Sequence, residues 1–321
     1  MRAPLLTLVR SISLALLAAA LTGCTTTPQT AALRAAPAQA PVALTIPFVP
    51  QDAYQCGPAA LAMVLRASGA NAGLDDLVAQ VYVPARYGSL QPELLASARR
   101  HGRLAVVLPP QIDAVLAELR AGTPVLVLQN LALPFAPRWH YAVVIGFDPL
   151  REELILHTGT SAAQRLPLSV FERTWARSGH WAMVATRPAA LPATPTTNAL
   201  VQATIALERV DAGAALLAFD ALTQRDPSSY GAWFGLGTGA LQQQDVTTAQ
   251  RALLRATDLQ PTSADAWNNL ALAHLHAREP ARARAAAQRA VDLGGPRAQR
   301  YATTLDAVNA ALQAVETPQP R

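Results

Sequence analysis

Trp233 and Trp267 stand 34 residues apart, and so do Pro227 and Pro261. A fixed period of this length calls for one supersecondary unit that recurs along the chain and buries its apolar face only against the next copy. Aligned on the tryptophans, the middle copy reads Trp233, Leu236, Gly237, Ala240, Ala249, Leu253, Ala256 and Pro261. The next reads Trp267, Leu270, Ala271, His274, Ala283, Ala287 and Ala290, with Pro296 one residue late. A weaker first copy keeps Ala203, Ala206, Ala215, Phe219 and Pro227. Small residues at these offsets let paired antiparallel helices approach closely, and proline ends each pair because it cannot continue a helix.

The pattern resembles the tetratricopeptide repeat, with Ala at its tyrosine place and Leu at its phenylalanine place. Three repeats and a final helix near Arg297–Val315 are expected over residues 199–315, with a tail at 316–321. The resemblance implies an all-α solenoid that binds a protein partner on its concave face. His274 and His276 are two apart, on different faces of a helix, and do not form a metal pair.

The other end of the chain reads as an address. Two arginines precede the apolar run Ile12–Leu21, and Leu21-Thr22-Gly23-Cys24 follows. The run is too short to span a bilayer and has the order of a secretory signal. Leu-Thr-Gly-Cys resembles the lipobox of bacterial lipoproteins, which implies cleavage after Gly23, lipidation of Cys24 and a membrane anchor. Thr25 follows the cysteine, so the sorting rule of that family implies an outer-membrane lipoprotein facing the periplasm. Residues 24–43, rich in Thr, Ala, Pro and Gln, are expected to be a disordered tether.

Between these ends, 321 residues that are 51% hydrophobic suffice for two ordinary domains. The segment Arg187–Asn198, with three prolines and three threonines, separates them as a linker over residues 188–198. All 26 basic residues are arginine, which excludes a phosphate-loop lysine, a Schiff base and a lysine general base. The net charge of +5 is modest and the arginines do not cluster with aromatics, so nucleic acid is not the expected partner.

Residues 44–187 carry the chemistry. Gly57–Ser68, Leu74–Val81, Gln91–His101, Gln111–Arg120 and Val170–Arg177 read as helices. Leu104–Leu108, Pro124–Gln129, His140–Phe147, Glu153–His157 and Trp181–Thr186 read as strands, which together make an α+β domain. With Cys24 lipidated, Cys56 is the one remaining thiol. Its place at a helix start, at the positive end of the macrodipole, favours the thiolate. Gln51 and a backbone N–H are candidates for an oxyanion hole. His140 opens the strand WHYAVVIGFD, and alternation sets it on one face with Ala142, Val144 and Gly146. That face of small residues is the expected meeting place with a packed helix and Cys56.

Gln-x(4)-Cys-Gly-Pro-Ala, followed 84 residues after the cysteine by a His-Tyr-hydrophobic strand ending in Gly-Phe-Asp, resembles the papain-like cysteine peptidases that process double-glycine leader peptides of bacteriocins. The resemblance implies a papain-like fold, Cys56 as nucleophile, His140 as general base and Gln51 as oxyanion donor. Gln51 stands five residues before the cysteine, where the family usually has six. The family's third member is an Asp on the next strand, and here that segment reads Leu154-Ile-Leu-His-Thr-Gly-Thr160. Thr158 is nearest the expected place, beside His157. Asp148 reads as a capping turn residue. Orientation of His140 falls to Thr158, to a backbone carbonyl, or to nothing.

His101, His157 and His180 lack ligand spacing, so neither a metal nor a cofactor is expected. The same centre allows hydrolysis of a peptide or protein substrate, acyl transfer to an amine, or peptide recognition without catalysis.

Overall fold

The computed structural model describes residues 27–51 and 55–316. The signal segment, Cys24 and the last five residues lie outside them. The chain divides into two compact units. One runs to Ala67 and takes in Ala72–Leu94 and Val107–Val184; the other holds Ser68–Asn71, Leu95–Val106 and Ala185 onward.

The expected disordered tether is corrected from Pro28 on. Pro28–Ala35 is a helix, α1, and Val42–Ala43 a short strand, β1. Pro28 sits at the start of α1, where a missing N–H costs nothing. The buried Glu172 carboxylate accepts from Gln29 N at 2.9 Å, Thr30 N at 2.7 Å and Thr30 Oγ1 at 2.6 Å. It therefore supplies both the acceptor and the negative charge that a helix N-terminus favours. Farther along, Arg34 pairs with Glu152 at 2.6 Å. None of these partners is local in sequence, which is why a Thr/Ala/Pro/Gln composition reads as tether.

The elements that follow are α2 (Cys56–Ala67), α3 (Leu74–Val81), β2 (Tyr82–Val83), β3 (Gly88–Ser89), α4 (Gln91–Arg100), β4 (Leu104–Val107), α5 (Ile112–Arg120), β5 (Val125–Asn130), β6 (Trp139–Asp148), β7 (Glu153–Thr158), β8 (Ser161–Pro167), α6 (Leu168–Ala176) and β9 (Ala182–Thr186). The main sheet runs in the order β4-β9-β5-β6-β7-β8, with β1 paired to β6. Pairing of β5, β6, β7 and β8 is antiparallel throughout. Gly146 lets β1 reach the sheet, since a β-carbon there would lie 2.6 Å from Val42 O.

The two faces of β6 divide the first unit. Ala142 and Val144 point, with Val125 and Val127, into a core shared with Val115 and Leu119 of α5 and Phe171 and Trp175 of α6. The opposite face receives α2, whose residues Gly57–Leu65 are all buried. Tyr141 lies on this second face, its ring 3.5 Å from where a β-carbon of Gly57 would stand. The face of Ala142, Val144 and Gly146 is therefore not the one that packs on α2, and Cys56 meets β6 instead near the start of the strand, through the main chain of Tyr141. Small side chains there serve the α5 and α6 packing and the passage of β1.

In the second unit the helices pair as α7 (Thr197–Glu208) with α8 (Ala212–Arg225), α9 (Tyr230–Gln242) with α10 (Val246–Leu259), and α11 (Ala264–His276) with α12 (Pro280–Leu293), before α13 (Ala298–Glu316). The period of 34 has a direct physical basis. Trp233 Nε1 donates to Pro227 O at 3.0 Å, and Trp267 Nε1 donates to Pro261 O at 2.9 Å. Each indole satisfies the carbonyl of the proline that closes the preceding pair. Gly237 admits Leu253, whose Cγ would lie 2.5 Å from an added β-carbon. Ser229, Asp245 and Ser263 cap α9, α10 and α11 through their side-chain oxygens. Among the described residues no helix is long and apolar enough to cross a membrane.

Candidate functional site

Cys56 is the first residue of α2, and its thiol is free. Gly57 follows because a β-carbon there would lie 2.4 Å from Ser89 Oγ and 2.6 Å from Ser89 Cβ. Strand β3 is thereby drawn against the helix start. Tyr141 closes the arrangement from the sheet, its hydroxyl donating to Ser89 O at 3.1 Å.

The main chain of Tyr141 links the candidate groups. Its N–H favours the Cys56 thiolate, as do the N–H groups of Gly57 and Cys56 itself. Its carbonyl accepts from Gln51 Nε2 at 3.4 Å. Gln51 is also held through its own N–H, which donates to Gly159 O at 3.1 Å. Thus Gln51 and Cys56 converge on the main chain of one residue, and the residue before it is His140. The imidazole reaches across to the next strand, where Nε2 lies 2.6 Å from Thr158 Oγ1. Val143 pairs with His157, so Thr158 falls one step on, beside Ala142 and diagonal to His140 on the same face.

The electrostatics differ from the helix-start expectation. Burial pushes the Cys56 thiol up, and the three N–H groups oppose that rise without cancelling it. Burial is also the first cause that lowers the His140 imidazole, with the charge of Arg138 second. Neither group is shifted by the other. With the thiol raised and the imidazole lowered, both groups are neutral near pH 7, because loss of water around the sulfur outweighs the three N–H groups.

The neighbouring candidates resolve into structural roles. His157 accepts from Ala163 N at Nδ1 (3.1 Å), faces Ile46 O through Nε2 (3.4 Å) and meets the Phe48 ring edge-on at 5.1 Å. Both its nitrogens are engaged away from Cys56. Asp148 Oδ1 accepts from Leu150 N and Arg151 N in the β6–β7 turn, while Oδ2 takes Arg165 at 2.9 Å. It is the turn residue its position implies. Among the described residues no group of three or more His, Cys, Asp and Glu is placed to hold a metal. Tyr141 and Ser89 were not singled out by sequence, and the one available signal was the tyrosine directly after the histidine.

Residues 43–183 match the model of the Peptidase_C39 like family. Residues 43–183 form a Peptidase_C39-like domain. Residues 200–248 and 236–299 match the tetratricopeptide repeat, so the C39-like domain is followed by a run of repeat helices. No curated protein matches the chain.

Among solved structures, a double glycine motif protease from an AMS/PCAT transporter, in complex with the leader peptide, is 21% identical. It covers 45% of this chain and 96% of its own, with a TM-score of 0.35. A C39-like peptidase from Bacillus anthracis is 20% identical, covering 46% of this chain and 98% of its own with a TM-score of 0.40. MamA from Desulfovibrio magneticus RS-1 is 26% identical and covers 37% of this chain and 67% of its own with a TM-score of 0.35. The chain thus spans about two thirds of the MamA length it matches.

Proposed function

We propose that the C39-like domain is a thiol peptidase in which Cys56 cleaves a peptide bond with His140 as base. The observation that carries this reading is the convergence of the Cys56 sulfur with the main chain of the residue directly after His140. His140 takes the thiol proton as sulfur attacks the scissile carbonyl, and the oxyanion is received by the Cys56 N–H and the second N–H of Gln51 Nε2. The imidazolium then protonates the leaving amine, the C–N bond breaks, and a thioester remains on Cys56. Water attacks the thioester with His140 again as base, releasing the acid and restoring the thiol. For Nδ1 to accept the thiol proton, Nε2 must carry hydrogen and donate to Thr158 Oγ1, so Thr158 orients without reacting.

The tetratricopeptide repeats present a protein partner or substrate to this centre. Cys24, as the lipobox cysteine, holds the chain in the bacterial envelope as an outer-membrane lipoprotein facing the periplasm. Failure of Cys24→Ser to release the protein from the membrane fraction would remove the anchor.

A second reading has its own support. Thr158 is neutral where the resembling family carries a carboxylate, which favours a peptide-binding domain without turnover. Incubation of the purified chain with a peptide library, read by mass spectrometry, separates the two. Cleavage lost in Cys56→Ala and in His140→Ala supports the peptidase. Binding without cleavage in the wild-type chain supports the adaptor.

A further inference from the structure

Two successive repeats fill the same places on their surface differently. In the later one a groove of about 400 Å³ runs between α10 and α12, the second helices of successive pairs, over a floor made by α11. Its lining includes Leu254, Trp267, Leu270, His274, Arg282 and Arg289, and among the described residues no carboxylate lines it. In the preceding repeat, 34 residues earlier, Asp220 holds the place of Leu254 and Arg251 the place of Ala285, and the two pair at 3.9 Å. Arg255, at the place of Arg289, reaches Pro227 O at 3.5 Å. There the chain answers its own arginines.

In the later repeat it does not. Leu254 is 53% exposed where an aspartate stands one repeat before, and Arg289 has no partner among the described residues. Arg282, at the place of Thr248, is 73% exposed and reaches only Glu279, at 3.4 Å. That carboxylate is already engaged, lying 2.8 Å from His274 Nδ1 and accepting from Gln250 Nε2 at 2.9 Å. Two guanidinium charges therefore stand against one shared carboxylate, beside an exposed leucine and a half-buried tryptophan. A single exposed leucine needs no explanation, but an open groove of apolar floor and uncompensated charge has the make-up of an interaction surface.

We propose that this groove receives a segment of a partner protein that carries a bulky apolar side chain flanked by carboxylates. The apolar side chain displaces water from Leu254, Trp267 and Leu270. The carboxylates bind Arg289 and Arg282 as Asp220 binds Arg251 in the preceding repeat. Charge complementarity selects an acidic segment over a neutral or basic one. This deepens the reading of the repeats as a partner-binding module and rests on it for the class of the occupant.

The test uses the full chain bearing Cys56→Ala, so that the probes stay intact, and three fluorescent peptides with the same Gly-Ser flanks. Their centres read Asp-Glu-Leu-Phe-Glu-Asp, Asn-Gln-Leu-Phe-Gln-Asn and Asp-Glu-Ser-Ala-Glu-Asp. Anisotropy is expected to show about tenfold tighter binding of the first than of either other, since both the apolar burial and the charge pairing are needed. Leu254→Asp with Ala285→Arg copies the ion pair of the preceding repeat onto exposed positions and should abolish that preference. Arg289→Gln should weaken the first peptide about threefold and leave the second unchanged. Circular dichroism and the melting midpoint stay unchanged, because the preceding repeat already carries the same pair. Equal binding of the three peptides overturns the groove. A preference that survives the grafted pair overturns the groove and leaves the repeats binding partners through another surface. Absence of binding by all three peptides overturns the groove together with the peptide-binding reading of the repeats.

Discussion

The His140 Nε2 atom lies 2.6 Å from the hydroxyl of Thr158. A hydroxyl both donates and accepts, so it aligns the ring without imposing one tautomer, and it carries no charge to stabilise an imidazolium. The centre therefore has the geometry of an oriented Cys–His pair with weaker electrostatic support than a carboxylate provides.

Changing this contact should act on the proton affinity of His140 first. Thr158→Asp is expected to raise the imidazole from its depressed position and to increase turnover about tenfold, a charge-assisted hydrogen bond contributing roughly 1.5–3 kcal/mol against about 1 for a neutral one. Thr158→Val should lower turnover by a similar factor while leaving the fold intact. NMR titration of the His140 ring alongside peptide cleavage checks both. An unchanged titration in Thr158→Asp would mean that the contact does not set the ring.

The neutral resting pair has a kinetic signature. A thiolate–imidazolium pair alkylates over a broad plateau reaching into acid, whereas Cys56 is raised by burial and His140 is lowered. Iodoacetamide labelling of Cys56 should therefore climb steadily above the ordinary thiol range near pH 8.5, with no acid shoulder. Rates measured from pH 5 to 10 in the wild type and in His140→Ala should nearly coincide below pH 7. A shoulder near pH 5 that disappears in His140→Ala would show an ion pair.

Much of this arrangement was legible in local pattern, and the reasons it stopped being legible are physical. Leu74–Val81 is a helix with both bounds where the periodicity places them, and the 34-residue spacing reflects a hydrogen bond from each tryptophan to a proline six residues earlier. These features depend on neighbours in sequence. The helix Pro28–Ala35 depends instead on Glu172, more than 140 residues away. Strand β8 escaped because it is an exposed edge with almost no buried side chain to set an alternation. Alternation along β6 correctly divided its residues into two faces. It could not say which face α2 would cover, because Ala142 and Val144 suit either neighbour until the packing of Phe171 and Trp175 is known.

The strap built by α1 should be as much a part of the domain as its core. Glu172 is buried and accepts three hydrogen bonds from Gln29 and Thr30. Glu172→Ala leaves these donors without an acceptor at a helix start, a cost of about 3 kcal/mol when more than one buried donor is stranded. The denaturation midpoint should fall accordingly, and trypsin should cut after Arg34 in the variant well before it does so in the parent. Equal protection of Arg34 in both chains would mean that the strap is held by other contacts.

Acid sensitivity follows from the direction in which three imidazoles are shifted. Burial lowers His157, His140 and His180, with Ile46 O opposing the shift at His157 and Glu172 opposing it at His180. A histidine whose folded value lies below its unfolded value near 6.5 binds its proton preferentially in the unfolded chain. Its contribution is present in full above about pH 6.5 and is lost as pH falls through the depressed folded value. At His157 the structural consequence is specific: protonation of Nδ1 removes the acceptor for Ala163 N, in β8 just after the β7–β8 turn. The melting midpoint should thus be flat above pH 7 and decline between pH 6.5 and 5. In His157→Gln, where an amide oxygen can still accept and no proton is taken up, the decline should be shallower. Midpoints that fall equally in both chains would assign the acid sensitivity to His140 and His180 and leave the β7–β8 turn indifferent to pH.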